Sequence, residues 1–343
     1  MEGLQFVRFP DLAAIVKAVQ PYDDGSMNGV VGTLYDHLKR PAPASWDSYF
    51  LCGVYHGSDL LLTLTMAPMD RAWGLGCPRS VLGEITPATL KAATDVLAKS
   101  VLDLTHPLAI TLVNGEADAV NAFLTSWVEA AASKGTRLRM KDPAFDARAS
   151  YATRETVPPP PPTKPDYEIV LATGEDFDQL FPIYLDFTKQ AGPGTRALDV
   201  EEAHLRFVIA QGTTWLCRID NALVGFIVLG RVTPNTIAIR HVYVIPEHRR
   251  KGIAEGLVRA INRYYLGMRP VGYDGIPDGD PAVGVKSFVC INTSSAENIY
   301  RRAGFLFPVR TADEQGAGGR DPISGKKAWY RHILRGVEPE KAP

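Results

Sequence analysis

Five consecutive prolines at positions 158–162, with another at 165, interrupt the 343-residue chain near its middle. Proline lacks a backbone N–H and fixes φ, so neither a helix nor a central strand can run through this stretch. The segment reads as polyproline II, a semi-rigid spacer rising ~3.1 Å per residue. The chain is also long for one core, since a domain takes about 150 residues. The expected organisation is a first lobe over residues 1–155, a proline-rich linker over 156–165, a second lobe over 166–336 and a tail over 337–343. A mid-chain run without a flanking basic cluster suits a spacer better than a proline-motif ligand.

Composition narrows the function classes. Apolar residues make up 45% and charged residues 22%, the balance of a globular protein rather than a disordered one. With 37 basic and 38 acidic residues the net charge is −1. That gives no global electrostatic reason to bind nucleic acid or acidic lipid. The four cysteines, Cys52, Cys77, Cys217 and Cys290, are scattered without a C-x-x-C pair. A zinc site of the usual spacing is thereby excluded, and reduced thiols in a cytosolic protein are expected. The N-terminal Met-Glu-Gly-Leu-Gln has no basic or apolar signal character, and the most apolar stretch, 60–66, falls far short of the ~20 residues of a membrane helix. A cytoplasmic location without membrane attachment follows as the expectation.

Periodicity and turn residues give elements in both halves. In the first, helices are expected over 11–20, 88–100 (with Thr86 as cap and Pro87 at its first position) and 116–133. Strands are expected over 47–54, 59–65 and 107–113. No catalytic constellation is visible there; His37, His56 and His106 are scattered. In the second half, strands are expected over 167–172, 213–219, 222–230, 236–244, 284–291, 305–310 and 327–334. A tight turn at Asp220-Asn221 joins two of them. Helices follow Gly174, Leu198-Asp199, Lys251 and Ser295. The alternation implies an α/β (α+β) mixed sheet with helices on both faces. Glycine- and proline-rich stretches at 189–196, 267–281 and 311–324 read as loops.

The chemistry concentrates between the 236–244 strand and the helix after it, in the run His241-Val242-Tyr243-Val244-Ile245-Pro246-Glu247-His248-Arg249-Arg250-Lys251-Gly252-Ile253-Ala254-Glu255. Pro246 stops the strand, and Gly252 and Ala254 keep the backbone bare where the helix begins. The first turn of a helix carries unpaired N–H groups and partial positive charge, so bare backbone there lets a diphosphate approach. Arg249, Arg250 and Lys251 add charge. Neither a Walker A loop nor a dinucleotide fingerprint is present.

Val242-x-Val244-x-Pro246-x-x-Arg249-x-x-Gly252-x-Ala254 resembles the signature of the GNAT superfamily of acyl-CoA-dependent N-acyltransferases. A second block, Asn292 with Ala296, Ile299, Tyr300, Gly304 and Phe305, resembles that family's next motif, with an Asn-to-Tyr interval of eight against the commoner seven. The resemblance spans residues 167–335. The whole layout also looks like the two-lobed form: two tandem lobes, each a mixed, mostly antiparallel twisted sheet flanked by helices. In the first lobe, residues 72–79 (Ala-Trp-Gly-Leu-Gly-Cys-Pro-Arg) stand at the equivalent place without the signature. A degenerate lobe is therefore expected there, with an unrelated α/β cap as the alternative.

The resemblance implies acetyl-CoA as cofactor, bound by Val242, Tyr243, Val244, Arg249, Arg250, Lys251, Gly252, Ile253, Ala254, Glu255, Asn292 and Ser295. It implies Tyr300 as general acid and a small-molecule amine as acceptor, with the protein a monomer or homodimer. The family often carries a glutamate early on the strand before the phosphate loop; residues 235–241 contain no carboxylate. His241 is the titratable candidate for the base, since histidine ionises near 6.5. The loop at 189–196 is expected to set acceptor specificity, and Asp199, Glu201 and His204, which flank it, are further candidates for the base. Transfer of a longer acyl group, O-acylation and a non-catalytic acyl-CoA-binding role stay open as alternatives.

Overall fold

The computed structural model describes the chain except residues 1, 2, 42, 44, 69, 79–84, 191–196, 278–280, 282, 283, 293–295, 310–318 and 341–343. It forms two units, Met1–Ala149 with Ala328–Pro343, and Ser150–Lys327.

The first unit contains β1 (Leu4–Arg8), α1 (Leu12–Val19), α2 (Asn28–Leu38), β2 (Phe50–His56), β3 (Asp59–Met66), β4 (Trp73–Gly76), α3 (Pro87–Leu102), β5 (Leu112–Glu116), α4 (Ala117–Ser133), β6 (Leu138–Met140) and the start of β7 (Phe145–Ala152). Caps set the helix starts: Asp11 accepts from Ala14 N at 2.8 Å, Thr86 from Thr89 N at 3.1 Å and Glu116 from Ala119 N at 2.9 Å. The sheet core is sealed by α3 and α4, which bury Leu97, Val101, Phe123 and Trp127 completely. Each such side chain contributes about 1.5–3 kcal/mol.

The second unit contains β8 (Glu168–Leu171), α5 (Phe177–Gln190), α6 (Leu198–Ala210), β9 (Thr214–Ile219), β10 (Ala222–Gly230), β11 (Thr236–Val244), α7 (Ile253–Tyr265), β12 (Ser287–Asn292) and α8 (Glu297–Arg302). Its strands run in the order β8-β9-β10-β11-β12. Asp220 and Asn221 take φ of 49° and 64°, the geometry a two-residue hairpin between right-twisted strands requires. One face packs on α7 through Ile237, Leu257 and Ile261; the other packs on α5 and α6 through Phe226, Tyr184 and Leu205.

The two units repeat one topology. In each, a strand and two helices lead into three strands, then a helix, a fifth strand and another helix. The first four strands pair antiparallel, and the fourth and fifth pair parallel: β4 with β5, and β11 with β12. The shared order favours a degenerate repeat over an unrelated cap.

Several expectations change. Residues 156–165 are part of the second unit, not a spacer. Prolines cannot donate but keep their carbonyls, and α7 uses them: Arg263 donates to Pro158 O at 2.7 Å and Arg259 to Pro159 O at 2.9 Å. Val157 is buried in the core. Arg263 is 2% exposed and also donates to Pro270 O at 2.6 Å and Val271 O at 3.2 Å. Arg263→Lys, which cannot span these acceptors, should lower stability by about 1–2 kcal/mol, read as a lower urea midpoint at unchanged slope.

The closing strand β13 (Trp329–Pro339) belongs to the first unit rather than to a lobe at 166–336, and it continues through the residues expected as a tail. It pairs antiparallel with β5, and a Cβ on Gly336 would lie 2.0 Å from Thr111 O, so only glycine fits there. Residues 73–76 are β4 itself, so the place equivalent to the phosphate loop starts at Cys77. The 107–113 strand begins later, at Leu112, and residues 305–309 are irregular. The 267–281 segment is no free loop where described: Val271 and Tyr273 are buried, and Ile169 N donates to Asp274 O at 2.9 Å, covering the edge of β8.

Candidate active site

β11 and β12 pair for three residues, Thr236↔Ser287, Ile237↔Phe288 and Ala238↔Val289, and β11 then runs on to Val244 against β10 alone among the described pairings. Along β10 the register jumps: Val228 faces His241 and Leu229 faces Ile239. Arg240 is therefore the extra residue of a β-bulge. The bulge reverses the facing of everything after it. Ile237 and Ile239 pack on the α7 side; beyond Arg240, Val242 and Val244 do so instead, while Tyr243 joins the α5 side. His241 goes with Tyr243. Where the parallel pair ends, the backbone of β11 is left with N–H and C=O groups that no described strand takes.

Past Pro246 the chain makes one tight turn, and Arg250 and Gly252 take φ of 62° and 82°. Gly252 is the N-cap of α7, and no side chain among the described residues caps that helix. Gly256 N is the first to bond back, to Gly252 O at 2.9 Å, so the amides of Ile253, Ala254 and Glu255 precede the intrahelical ladder. Among the described residues, apart from its own chain neighbours, nothing lies within 4 Å of where a Gly252 Cβ would be. These donors, the open space before them and the exposed Arg250 and Lys251 fit a diphosphate.

Arg249 is differently engaged. It donates to Val244 O at 2.9 Å and to Gln190 Oε1 at 3.1 Å, and lies over the Tyr243 ring. Its work is to fasten the end of β11 to α5. The Glu255 carboxylate is held by Arg302 at 2.6 Å and Arg259 at 3.5 Å. Arg302 thus covers the first turn of α7, and Arg301 pairs with the fully buried Glu297 at 2.7 Å.

Tyr300 sits in α8, 8% exposed, edge-on to Phe305 at 5.4 Å. It shares one apolar cluster with Ile239 and Val244 of β11 and Ile253 and Leu257 of α7. The fold thus brings Tyr300 to the side of the sheet where the bare helix terminus lies. His241 is on the other side, against Phe187 (4.7 Å between centroids) and Tyr184 (6.1 Å). Asn292 closes β12, with its side chain outside the described residues, and Ser295 also lies outside them.

From the sequence, Tyr184 is expected on the apolar face of the helix after Gly174 and Gln190 in the loop at 189–196, and Phe187 is not singled out. The signal available was the i, i+3, i+7, i+10 spacing of Phe177, Leu180, Tyr184 and Phe187 along one face of α5. Tyr184 donates to Glu201 Oε2 at 3.1 Å, and Glu201 is buried. Gln190 Nε2 donates to the Tyr243 hydroxyl at 3.2 Å. The three described cysteines are buried. Burial pushes the Cys77 and Cys217 thiols up to about 12 and the Cys52 thiol higher still, so none supplies a thiolate nucleophile.

Parted parallel strands, a bulge at the parting and an uncapped helix terminus at one mouth converge with the sequence motifs. Residues 210–306 match the family model for the acetyltransferase (GNAT) domain. The second unit carries a GNAT domain. The first unit repeats the same strand order without the R-x-x-G-x-A loop. No curated protein matches the chain. Among solved structures, the chain is similar to a GCN5-related N-acetyltransferase from Sphaerobacter thermophilus, at 14% identity and TM-score 0.49 over 99% of this chain and 96% of that one. It is similar to a GNAT-family acetyltransferase from Colwellia psychrerythraea, at 9% identity and TM-score 0.49 over 97% and 99%. A tandem GNAT protein from the clavulanic acid biosynthesis pathway gives 14% identity and TM-score 0.44 over 99% of both chains. Among the described residues of the present chain, no helix is long and apolar enough to cross a membrane.

Proposed function

We propose that the chain is an acetyl-CoA-dependent N-acetyltransferase, a cytoplasmic monomer or homodimer that acetylates the amine of a small-molecule acceptor by direct attack in a ternary complex. The observation that carries this reading is the Gly252 terminus of α7, uncapped and open, beside the parting of β11 from β12.

Acetyl-CoA supplies an acetyl group activated as a thioester. The amides of Ile253, Ala254 and Glu255 hold its diphosphate, with Arg250 and Lys251 adding charge. The free edge of β11 from Val242 to Val244 takes the pantetheine arm as an added strand, and Asn292 and Ser295 flank it. The N–H near Val242 steadies negative charge on the attacked carbonyl oxygen. His241, on the opposite side of the sheet, takes the proton the amine sheds. Tyr300 gives its proton to the departing thiolate; an unperturbed phenol is protonated at neutral pH and matches a thiol in basicity. Acid and base thus stand on the two sides of the opening, so neither neutralises the other.

Calorimetry with acetyl-CoA tests the reading. The wild-type chain should bind at one site. Gly252→Val, which puts a branched side chain at positive φ in front of the donors, should weaken binding by about tenfold or more. Absence of binding by the folded wild-type chain removes the proposal.

A further inference from the structure

This inference rests on the acetyltransferase reading and names the class of its acceptor. On the α5 side of the sheet the half-buried rings of Phe187 and His241 stand 4.7 Å apart, inclined at 53°. Phe226 and Tyr243 back Phe187 at 6.0 Å each, and Tyr184 backs His241 at 6.1 Å. The wall beside the proposed base is therefore made of rings, which best receive another flat apolar body.

The strand that carries His241 offers no carboxylate to strip an ammonium: residues 235–241 contain none. Glu201, which α6 buries behind the rings, has Oε2 taken up by the Tyr184 hydroxyl. Only about one alkylamine molecule in 10³ is neutral at pH 7, given an ammonium pKa near 10. An amine bonded directly to an aromatic ring shares its lone pair with the ring, so its conjugate acid is far stronger and the neutral form prevails at pH 7.

We infer that the acceptor is an arylamine, a weakly basic nitrogen on a planar ring that lies against Phe187 and His241. Its lone pair forms the new N–C bond as the C–S bond of the thioester breaks. The thiolate takes the Tyr300 proton, the proton shed by nitrogen passes to His241, and solvent restores both residues.

The full-length chain with acetyl-CoA at pH 7 is offered 4-methoxyaniline, phenethylamine or n-butylamine, and free thiol is followed. The expected kcat/KM for 4-methoxyaniline exceeds both others by about tenfold or more. Phe187→Leu should raise its KM about fivefold, and Phe187→Tyr should restore it, with acetyl-CoA binding unchanged in both. Equal or faster reaction of either alkylamine overturns the arylamine class and leaves the acetyltransferase reading standing. Thiol release with none of the three by a chain that still binds acetyl-CoA also overturns the class. No binding of acetyl-CoA overturns the reading beneath it.

Discussion

A chain that stops at Ala328 should leave its first unit without a native fold. The missing β13 pairs with β5 over five residues, from His332↔Glu116 to Gly336↔Leu112, and with β6 over three. It carries Ile333, 1% exposed, and Val337, 6% exposed, into the cluster that holds Val120 and Trp127. Burying two such side chains contributes about 3–6 kcal/mol, and the ladder bonds roughly 1 kcal/mol each. A domain's whole stability is about 5–15 kcal/mol, so the loss is of the same order. Hydrogen exchange read by mass spectrometry checks this. Amides of α4 and β5 should lose their protection, while those of α7 report the other unit separately. Undiminished protection of α4 would show the strand to be dispensable.

Tyr300→Phe should lower turnover by about 10²-fold, within the range that a positioned proton donor contributes. The ring stays in its cluster with Phe305 and Ile253, so packing is kept and only the hydroxyl goes. Acetyl-CoA affinity should hardly change, because no part of the diphosphate cradle is touched. Single-turnover kinetics beside calorimetry separate the two quantities. Unchanged turnover would remove the acid role from Tyr300 and return it to packing.

The parts of the fold that local chemistry dictates were legible in the sequence. Asp11, Thr86 and Glu116 mark helix starts because a capping oxygen acts within three residues. Asp220-Asn221 marks its hairpin because both residues tolerate positive φ. What failed depends on distant partners. The prolines at 158–162 look like a spacer until Arg259 and Arg263, a hundred residues on, supply donors to their carbonyls. Trp73–Gly76 was set within the place equivalent to the phosphate loop, yet β3 and β5 hold it as a strand. Leu198-Asp199 suggests a helix from Val200, two residues late: it starts at Leu198, with Ala197 as N-cap and no side-chain bond.

The candidate site divides in the same way. The turn at 245–254 was legible as a motif because Pro246, Gly252 and Ala254 mark a strand end and a bare helix start directly. The engagement of Arg249 by Gln190 and Val244 O was not legible, because nothing local shows it. Simple alternation already set His241 opposite Arg240 and Val242. The bulge that swaps the faces of β11 at Arg240 has no sequence mark, and the wall of Phe187 and Tyr184 assembles only when α5 lies down on the sheet.

Since β13 is encoded after the second unit, the first unit is begun first on the ribosome and finished last. At about 5–20 residues per second, β1 to β6 wait while the whole of residues 150–327 is translated. Throughout that interval β5 offers nascent neighbours a bare hydrogen-bonding row. Slow codons in the 3′ half of the message are therefore expected to lower soluble yield through the N-terminal unit, far from where they are read.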